Sequence, residues 1–298
     1  MAIAGPAATV YVDVEGDLTK FKQDLKNAGD DVKKQTGAWQ KNTKRAGAVA
    51  AGAAAGIALA SANAFVNFDK GIREVYTLIP DASAELRDTL ANDARFISSE
   101  YGQELGLVTS AFYDSISAGV AAEDVRGFVA DASKLAVAGA TDVSTAVDAL
   151  TGVTNAYGID VLSASKASDI LFETMKAGKT TIPELASKIA NVTPDAEALG
   201  VSFEQVGAAM AAVTATTGNT AEASTKLRGV FSELGKSGTK AFDNFGEATG
   251  QTFRDFTAGG GTLAEGLLAM QTYAAESDLT LTDMFGSVEA GGAALILA

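Results

Sequence analysis

Six glycines recur at nearly constant spacing through the middle of this 298-residue chain and limit what it can fold into. The intervals between them are 20, 19, 20, 22 and 18 residues, and the glycines are Gly119, Gly139, Gly158, Gly178, Gly200 and Gly218. Each interval has room for a helix of about 15 residues and a turn, because helices commonly end at a glycine. We therefore predict a series of short helices, connected in antiparallel fashion, over residues 119–218.

Apolar residues between these glycines recur three and four positions apart, as they do on one face of an α-helix. Residues 122–138 show the pattern with Val125, Phe128, Val129 and Ala132. Because each predicted helix carries one apolar stripe, the stripes must be buried against one another. The sequence therefore predicts an all-α fold, a bundle or short solenoid of short antiparallel helices, preceded by a short N-terminal strand and a longer N-terminal helix.

Polar residues at the expected helix starts support this interpretation. The stretches 181–184 and 202–205 have the spacing of capping boxes, in which the side chain at the third helical position returns to the cap. Thr193 and Pro194 are typical of a further helix start, so we expect an extra short helix within the 22-residue interval. The six glycines are expected in the left-handed conformation just past each helix end.

The composition argues against catalysis. The chain has no cysteine and no histidine, which removes thiolate and imidazole metal ligands and the commonest general base. Two fragments, 178–180 and 235–237, resemble a phosphate-binding loop, but Glu173 and Val230 stand where the motif needs its first glycine. We interpret both as helix ends, and we expect neither an enzyme nor a cofactor. A net charge of −14 also argues against a specific nucleic-acid partner.

The first 46 residues differ from the remainder of the chain. Residues 9–14 alternate apolar and polar side chains, which predicts a strand. Such a strand would pair with a copy of itself in a neighbouring subunit or with a different protein. The alternative is that the segment is only a short extended stretch before the first helix. A narrow apolar stripe follows from about residue 17, which predicts an amphipathic helix that is either part of a coiled coil or solvated.

Residues 46–66 form an uncharged run that is rich in alanine and glycine. The run is about long enough to span a bilayer, and basic residues precede it. Its large apolar residues are few, however, so we interpret it as a helix that packs closely against copies of itself. The candidate contacts for helix packing or for a membrane are Gly52, Gly56, Ile57, Leu59 and Phe65.

These features divide the chain into four parts. Residues 1–46 hold the strand and the amphipathic helix, residues 47–80 the alanine- and glycine-rich helix, and residues 81–237 the helical core. Residues 238–298 form a C-terminal helical extension that contains four closely spaced phenylalanines. Because the sequence stops within an apolar run, we expect it to belong to a longer protein.

Several segments carry a further signal when they are taken in order: Phe68–Asp69 before Val75, Leu105–Gly119, Leu135–Gly139, Asn155–Ile159, Leu199–Glu204, Thr225–Arg228 and Asp283–Ala290. Together they resemble the helical core of the tail tape measure proteins of long-tailed bacteriophages. The resemblance covers about residues 68–235 and continues more weakly to residue 297. These segments are typical of the fold and hold no catalytic motif, so no site residue is carried over.

The resemblance implies a structural role in the tail of a phage or of a prophage-derived machine. It implies a protein that occupies the lumen of the tail tube in a few copies, sets the length of the tube and leaves ahead of the DNA at infection. The implied partners are copies of itself, the tail tube protein, tail tip and baseplate proteins, tail assembly chaperones and, after release, the host membrane. Assembly would take place in the cytoplasm of the bacterial host. Two alternatives stay open, a membrane-active helical effector and a non-catalytic helical scaffold or adaptor.

Overall fold

Every regular element in the part of the chain that the computed structural model describes, residues 66–298, is helical. This confirms the all-α prediction for these residues. The predicted strand at residues 9–14 and the amphipathic helix that follows it lie outside them. The described elements are α1 (66–78), α2 (Ala84–Tyr101), α3 (Leu105–Ser117), α4 (Val125–Ala138), α5 (Val143–Tyr157), α6 (Ala164–Gly178), α7 (Ile182–Ile189), α8 (Thr193–Ala198), α9 (Phe203–Thr217), α10 (Thr220–Gly235), α11 (Lys240–Thr249), α12 (Phe253–Ala258), α13 (Leu263–Glu276), a 3₁₀ turn (Leu281–Met284) and α14 (Val288–Leu297).

The short helix expected within the 22-residue interval is present as α8. It has six residues, with a proline in its first turn. Proline is tolerated there because the first helical N–H groups have no partner within the helix. This helix contacts α5, α9 and α10, so it fills a gap between longer helices.

Helix α5 lies at the centre of the helices that precede residue 200, and it contacts α3, α4, α6, α7 and α8. Its buried residues cover an arc of about 200° around the helix axis, which is wider than a single apolar stripe. Alanine and threonine widen this arc, because small side chains let neighbouring helices approach on both sides of the aliphatic row. The buried residues are Val143, Ala146, Val147, Ala149, Leu150, Thr151, Val153 and Thr154.

Helix α10 has the same position among the later helices. It contacts α7, α8 and α9, which precede it in the chain, and α11, α12 and α14, which follow it. Its large buried side chains are Leu227, Val230, Phe231 and Leu234. Residues Phe68–Ala298 form one compact unit, and helices before and after residue 237 contribute to the same core. The division of the chain into four parts stays a prediction.

The recurring glycines have two different structural roles. Four of them adopt a positive φ just past a helix end, although Gly158 combines it with a ψ of 133° that is not left-handed helical: Gly119, Gly158, Gly200 and Gly218. At the other two positions the prediction is wrong, since the left-handed residue is the next one along, Ala140 (φ 50°) or Lys179 (φ 53°). At Gly139 and Gly178 it is instead the missing side chain that matters, because another helix passes too close for a Cβ atom.

The first predicted capping box, at residues 181–184, is only half formed. Thr181 caps α7 and accepts a hydrogen bond from the N–H of Glu184 at 3.3 Å. The carboxylate of Glu184 does not return to the cap, because it accepts from the hydroxyls of Thr180 at 3.1 Å and Thr220 at 3.0 Å. The acidic side chain therefore joins the start of α7 to the start of α10.

The second predicted capping box, at residues 202–205, is absent. Ser202 makes no side-chain hydrogen bond as the cap of α9. The side chain of Gln205 instead accepts from the N–H of Leu263 at 2.7 Å, at the start of α13. Complete boxes form at residues 262–265 and 280–283, where the acidic residue is exposed to solvent and bonds back to its own cap. A capping sequence thus predicts the helix start correctly, but a neighbouring helix can compete for the returning side chain.

Candidate functional site

The residues predicted from the sequence to make functional contacts lie outside the described range of 66–298. They are Gly52, Gly56, Ile57, Leu59 and Phe65. Their role in helix packing or membrane contact therefore stays a prediction. The described residues offer a different candidate, a groove between two helices that the glycine pattern did not single out.

The two fragments that resemble phosphate-binding loops are helix ends, as interpreted from the sequence. Gly178 is the last residue of α6, and Lys179 follows it in the left-handed conformation. The Thr180 hydroxyl is not free for a ligand, because it lies 2.7 Å from the Thr220 hydroxyl and donates to Glu184. In the second fragment α10 ends at Gly235, and Lys236 continues in an extended conformation.

Helices α6 and α9 form an extensive contact and run parallel to each other. Near their first turns Lys166 pairs with Glu204, and Gly178 at the end of α6 lies against Ala211 in the second half of α9. The sequence predicts antiparallel helices for elements that are consecutive in the chain. Helices α6 and α9 are not consecutive, because α7 and α8 lie between them and return the chain to the end at which α6 begins. The N-termini of α6 and α9 therefore lie at the same end of the pair.

Small residues set the short distance between these two helices. A Cβ atom added to Gly178 would lie 2.9 Å from the Cα of Ala211, which is closer than real Cβ atoms come to backbone. One added to Gly207 would lie 2.7 Å from the Thr174 hydroxyl and 2.8 Å from a methyl group of Ile170. The Thr174 hydroxyl is itself satisfied, because it donates to the carbonyl of Ile170 at 2.7 Å.

An open groove of about 400 Å³ runs along this helix pair. Its floor is apolar and is made mainly by the side chains of Ile170, Ala177, Ala208 and Ala211. Because alanine side chains are short, the groove follows from the same residues that bring the two helices together. A further helix with small residues on one face fits such a floor sterically.

Carboxylates form the rim of the groove, and lysines pair with two of them. Asp169 and Glu173 lie one turn apart on α6, and Glu204 lies on α9. Lys176 donates to Glu173 at 2.8 Å, and the hydrogen bond from Lys166 lowers the pKa of Glu204 below its usual value. Two of the three carboxylates on the rim are therefore paired with lysines, and Asp169 is the third.

The groove offers methyl groups, carboxylates and one engaged hydroxyl, which suits packing against another helix better than it suits chemistry. Among residues 66–298 no three His, Cys, Asp or Glu side chains are placed to hold a metal ion. The sequence contained a signal for the groove, since Gly207 interrupts a helical pattern where a glycine is otherwise costly. That signal does not reveal which helix lies opposite.

No helix within the described part of the chain combines the length and the hydropathy needed to cross a bilayer. The alanine- and glycine-rich run predicted as a packing or membrane segment falls almost entirely before residue 66, so this finding does not test it.

Comparison with known proteins identifies the family. The family model of phage-related minor tail proteins matches residues 91–286, which is more than half of the chain. A probable tape measure protein of Clostridium phage phiCD119 is 34% identical over 265 residues, covering 85% of this chain and 28% of that protein. The chain therefore spans less than a third of the length of this relative. No solved structure gives a significant match. The chain belongs to the phage-related minor tail proteins, the tail tape measure family that its sequence resembles.

Proposed function

We propose that this chain is part of a tape measure protein that occupies the lumen of a phage tail tube, sets the length of the tube and leaves ahead of the DNA at infection. The proposal rests chiefly on one observation. The family match, residues 91–286, covers most of the folded unit, while the 265 residues aligned with the relative cover only 28% of its length. The folded unit would then be one module of a much longer molecule.

The size of the folded unit indicates that a different part of the longer protein sets the length of the tube. A compact unit of the length of residues 68–298 has a radius of gyration of about 17 Å. It is too short to measure a long tube by itself, whereas an extended helix adds about 1.5 Å for every residue. The ruler in this proposal is therefore the part of the longer protein outside this unit, and the helical unit serves assembly and packing.

The proposed partners follow from this role. They are a few further copies of the protein, the tail tube protein, tail tip or baseplate proteins and the tail assembly chaperones. In this proposal the protein assembles in the cytoplasm of the bacterial host and then resides in the virion tail. The proposal assigns the chain no catalytic step. The acidic balance of the chain, −14, suits a molecule that must not adhere to the DNA behind it.

The tube-length proposal predicts a proportional change in tail length. An in-frame deletion of about 100 residues from a helical part of the longer protein, outside the region matching residues 68–298, is expected to shorten the tail by about 150 Å. Electron microscopy of purified virions measures the tail, and an in-frame duplication of the same segment is the matched control, which should lengthen it equally. Normal particles with tails of unchanged length in both strains would exclude the ruler function.

Membrane contact by residues 46–66 is a separate proposal and needs a separate test. A peptide of residues 41–70 is expected to associate with liposomes that contain anionic lipid, because its basic flank precedes an uncharged run. The control peptide replaces Ile57, Leu59 and Phe65 by asparagine and should not bind. Co-sedimentation measures both peptides, and equal or absent binding would remove the membrane role and leave packing between copies.

A further inference from the structure

The start of helix α14 is held by one carboxylate from helix α10. Glu233 accepts from the N–H of Gly286 at 2.6 Å, from the N–H of Ser287 at 3.0 Å and from the Ser287 hydroxyl at 2.6 Å. That hydroxyl in turn accepts from the N–H of Ala290 at 3.3 Å, so Ser287 caps α14 while donating to Glu233. Because an ionised acceptor strengthens each hydrogen bond, the beginning of α14 depends on Glu233.

The fully buried residues of α14 are all small, and Ile296 and Leu297 near its end pack partly against the core. Its buried residues are Ala290, Gly291, Ala293 and Ala294. Gly229 of α10 faces Ala290, and Gly291 lies so close to the backbone of Thr282 that a Cβ atom would be 3.0 Å from the carbonyl oxygen. Since stabilisation by burial grows with apolar area, these contacts hold α14 less firmly than leucine or phenylalanine contacts would.

The large apolar residues of α14 are divided between solvent and the core. Val288 is 88% exposed and Leu295 is 57% exposed, while Ile296 and Leu297 are half-buried. Helix α10 differs, because it buries four large apolar side chains, Leu227, Val230, Phe231 and Leu234. Removing α14 would therefore cost the core the partial contacts of two large side chains, fewer than the removal of α10 would cost.

The 3₁₀ turn before α14 is anchored much more firmly. It buries Leu281 and Met284, and Phe285 directly after it is also buried. The side chain of Asn244 on α11 donates to the carbonyl of Met284 at 3.0 Å. Gly286 is thus the first residue between an anchored turn and a helix with weak packing, which is where a hinge is expected.

We propose that α14 is a detachable helix, which opens as one unit about Gly286 while α10 and the 3₁₀ turn stay folded, and that Glu233 sets how often it opens. Local opening of weakly packed elements below the global unfolding free energy is a general property of proteins. This inference concerns the folded chain by itself and does not depend on the proposed function.

Hydrogen exchange of the 298-residue chain tests the proposal. Mass spectrometry measures the exchange on overlapping peptides of α14 and of residues 223–234. In the unaltered chain all of α14 is expected to exchange at one rate, about tenfold or more faster than α10. Glu233→Gln keeps the side-chain size but removes the charge, and it should accelerate exchange in α14 by about a further tenfold while leaving α10 unchanged. Ser287→Ala should accelerate α14 in the same direction but less strongly.

The control is Glu276→Gln, which removes the same charge from an exposed carboxylate at the end of α13 and should change neither helix. Three results would overturn the proposal. Equal exchange of α14 and α10 in the unaltered chain would show a single unfolding unit. Protection that declines gradually toward Ala298 and ignores Glu233→Gln would show ordinary fraying. Equal acceleration of both helices by Glu233→Gln would make Glu233 a general stabilising residue.

Discussion

Replacing Phe253 by alanine is expected to lower the free energy of unfolding by about 4 kcal/mol. The ring is 1% exposed and meets the ring of Phe245 edge-on at 5.1 Å between centroids. Gly266 of α13 lies directly against it, since a Cβ atom there would be 2.8 Å from the Phe253 ring. Truncation would leave a cavity that the neighbouring helices cannot close, and denaturant unfolding followed by circular dichroism measures the loss.

The matched control for this prediction is Phe96→Ala, which makes the same chemical change on a ring that is 47% exposed. That ring stacks under the Arg126 guanidinium at 4.7 Å, a contact worth about 0.5–1 kcal/mol at an exposed site. We therefore expect the control to cost less than a third of the Phe253 value. Similar costs for both variants would contradict the packing of α12 against α11 and α13.

Replacing Gly178 by alanine is expected to lower the free energy of unfolding by about 2 kcal/mol, although alanine is the better helix former. Gly178 is a helical residue whose φ is not positive, so backbone strain does not oppose the change. The added Cβ atom would lie 2.9 Å from the Cα of Ala211, and backbone cannot rotate away as a side chain can. Overpacking should therefore outweigh the gain of up to about 1 kcal/mol in helix propensity.

Gly127→Ala separates these two effects. Gly127 lies within α4, is exposed, and has no atom within 4 Å of an added Cβ. Only the propensity effect remains there, so this variant should gain about 0.5–1 kcal/mol of stability. Thermal and denaturant unfolding of both variants measure whether each change lowers or raises the free energy of unfolding. Stabilisation by both changes would show that α6 and α9 are not in close contact.

The positions of the helices along the chain could be predicted from its sequence. Apolar residues three and four positions apart predicted the helices, and helix-ending glycines predicted most of their boundaries, because both signals act over one or two helical turns. The short helix α8 followed from Thr193 and Pro194 for the same reason. The family also followed from the ordered segments of the sequence, and comparison with known proteins confirmed it.

The partners of each helix were decided only by the tertiary structure. Glycine is equally compatible with a left-handed turn and with a close helix contact, so the sequence did not distinguish Gly178 from Gly218. Glu184 and Gln205 had the spacing of capping residues, yet each bonds to a different helix, because a neighbour more than 30 residues away in the chain lies within reach. The α6–α9 groove arises in the same way. Its floor is mostly alanine, a residue whose pattern reports helix formation but not the surface it packs against.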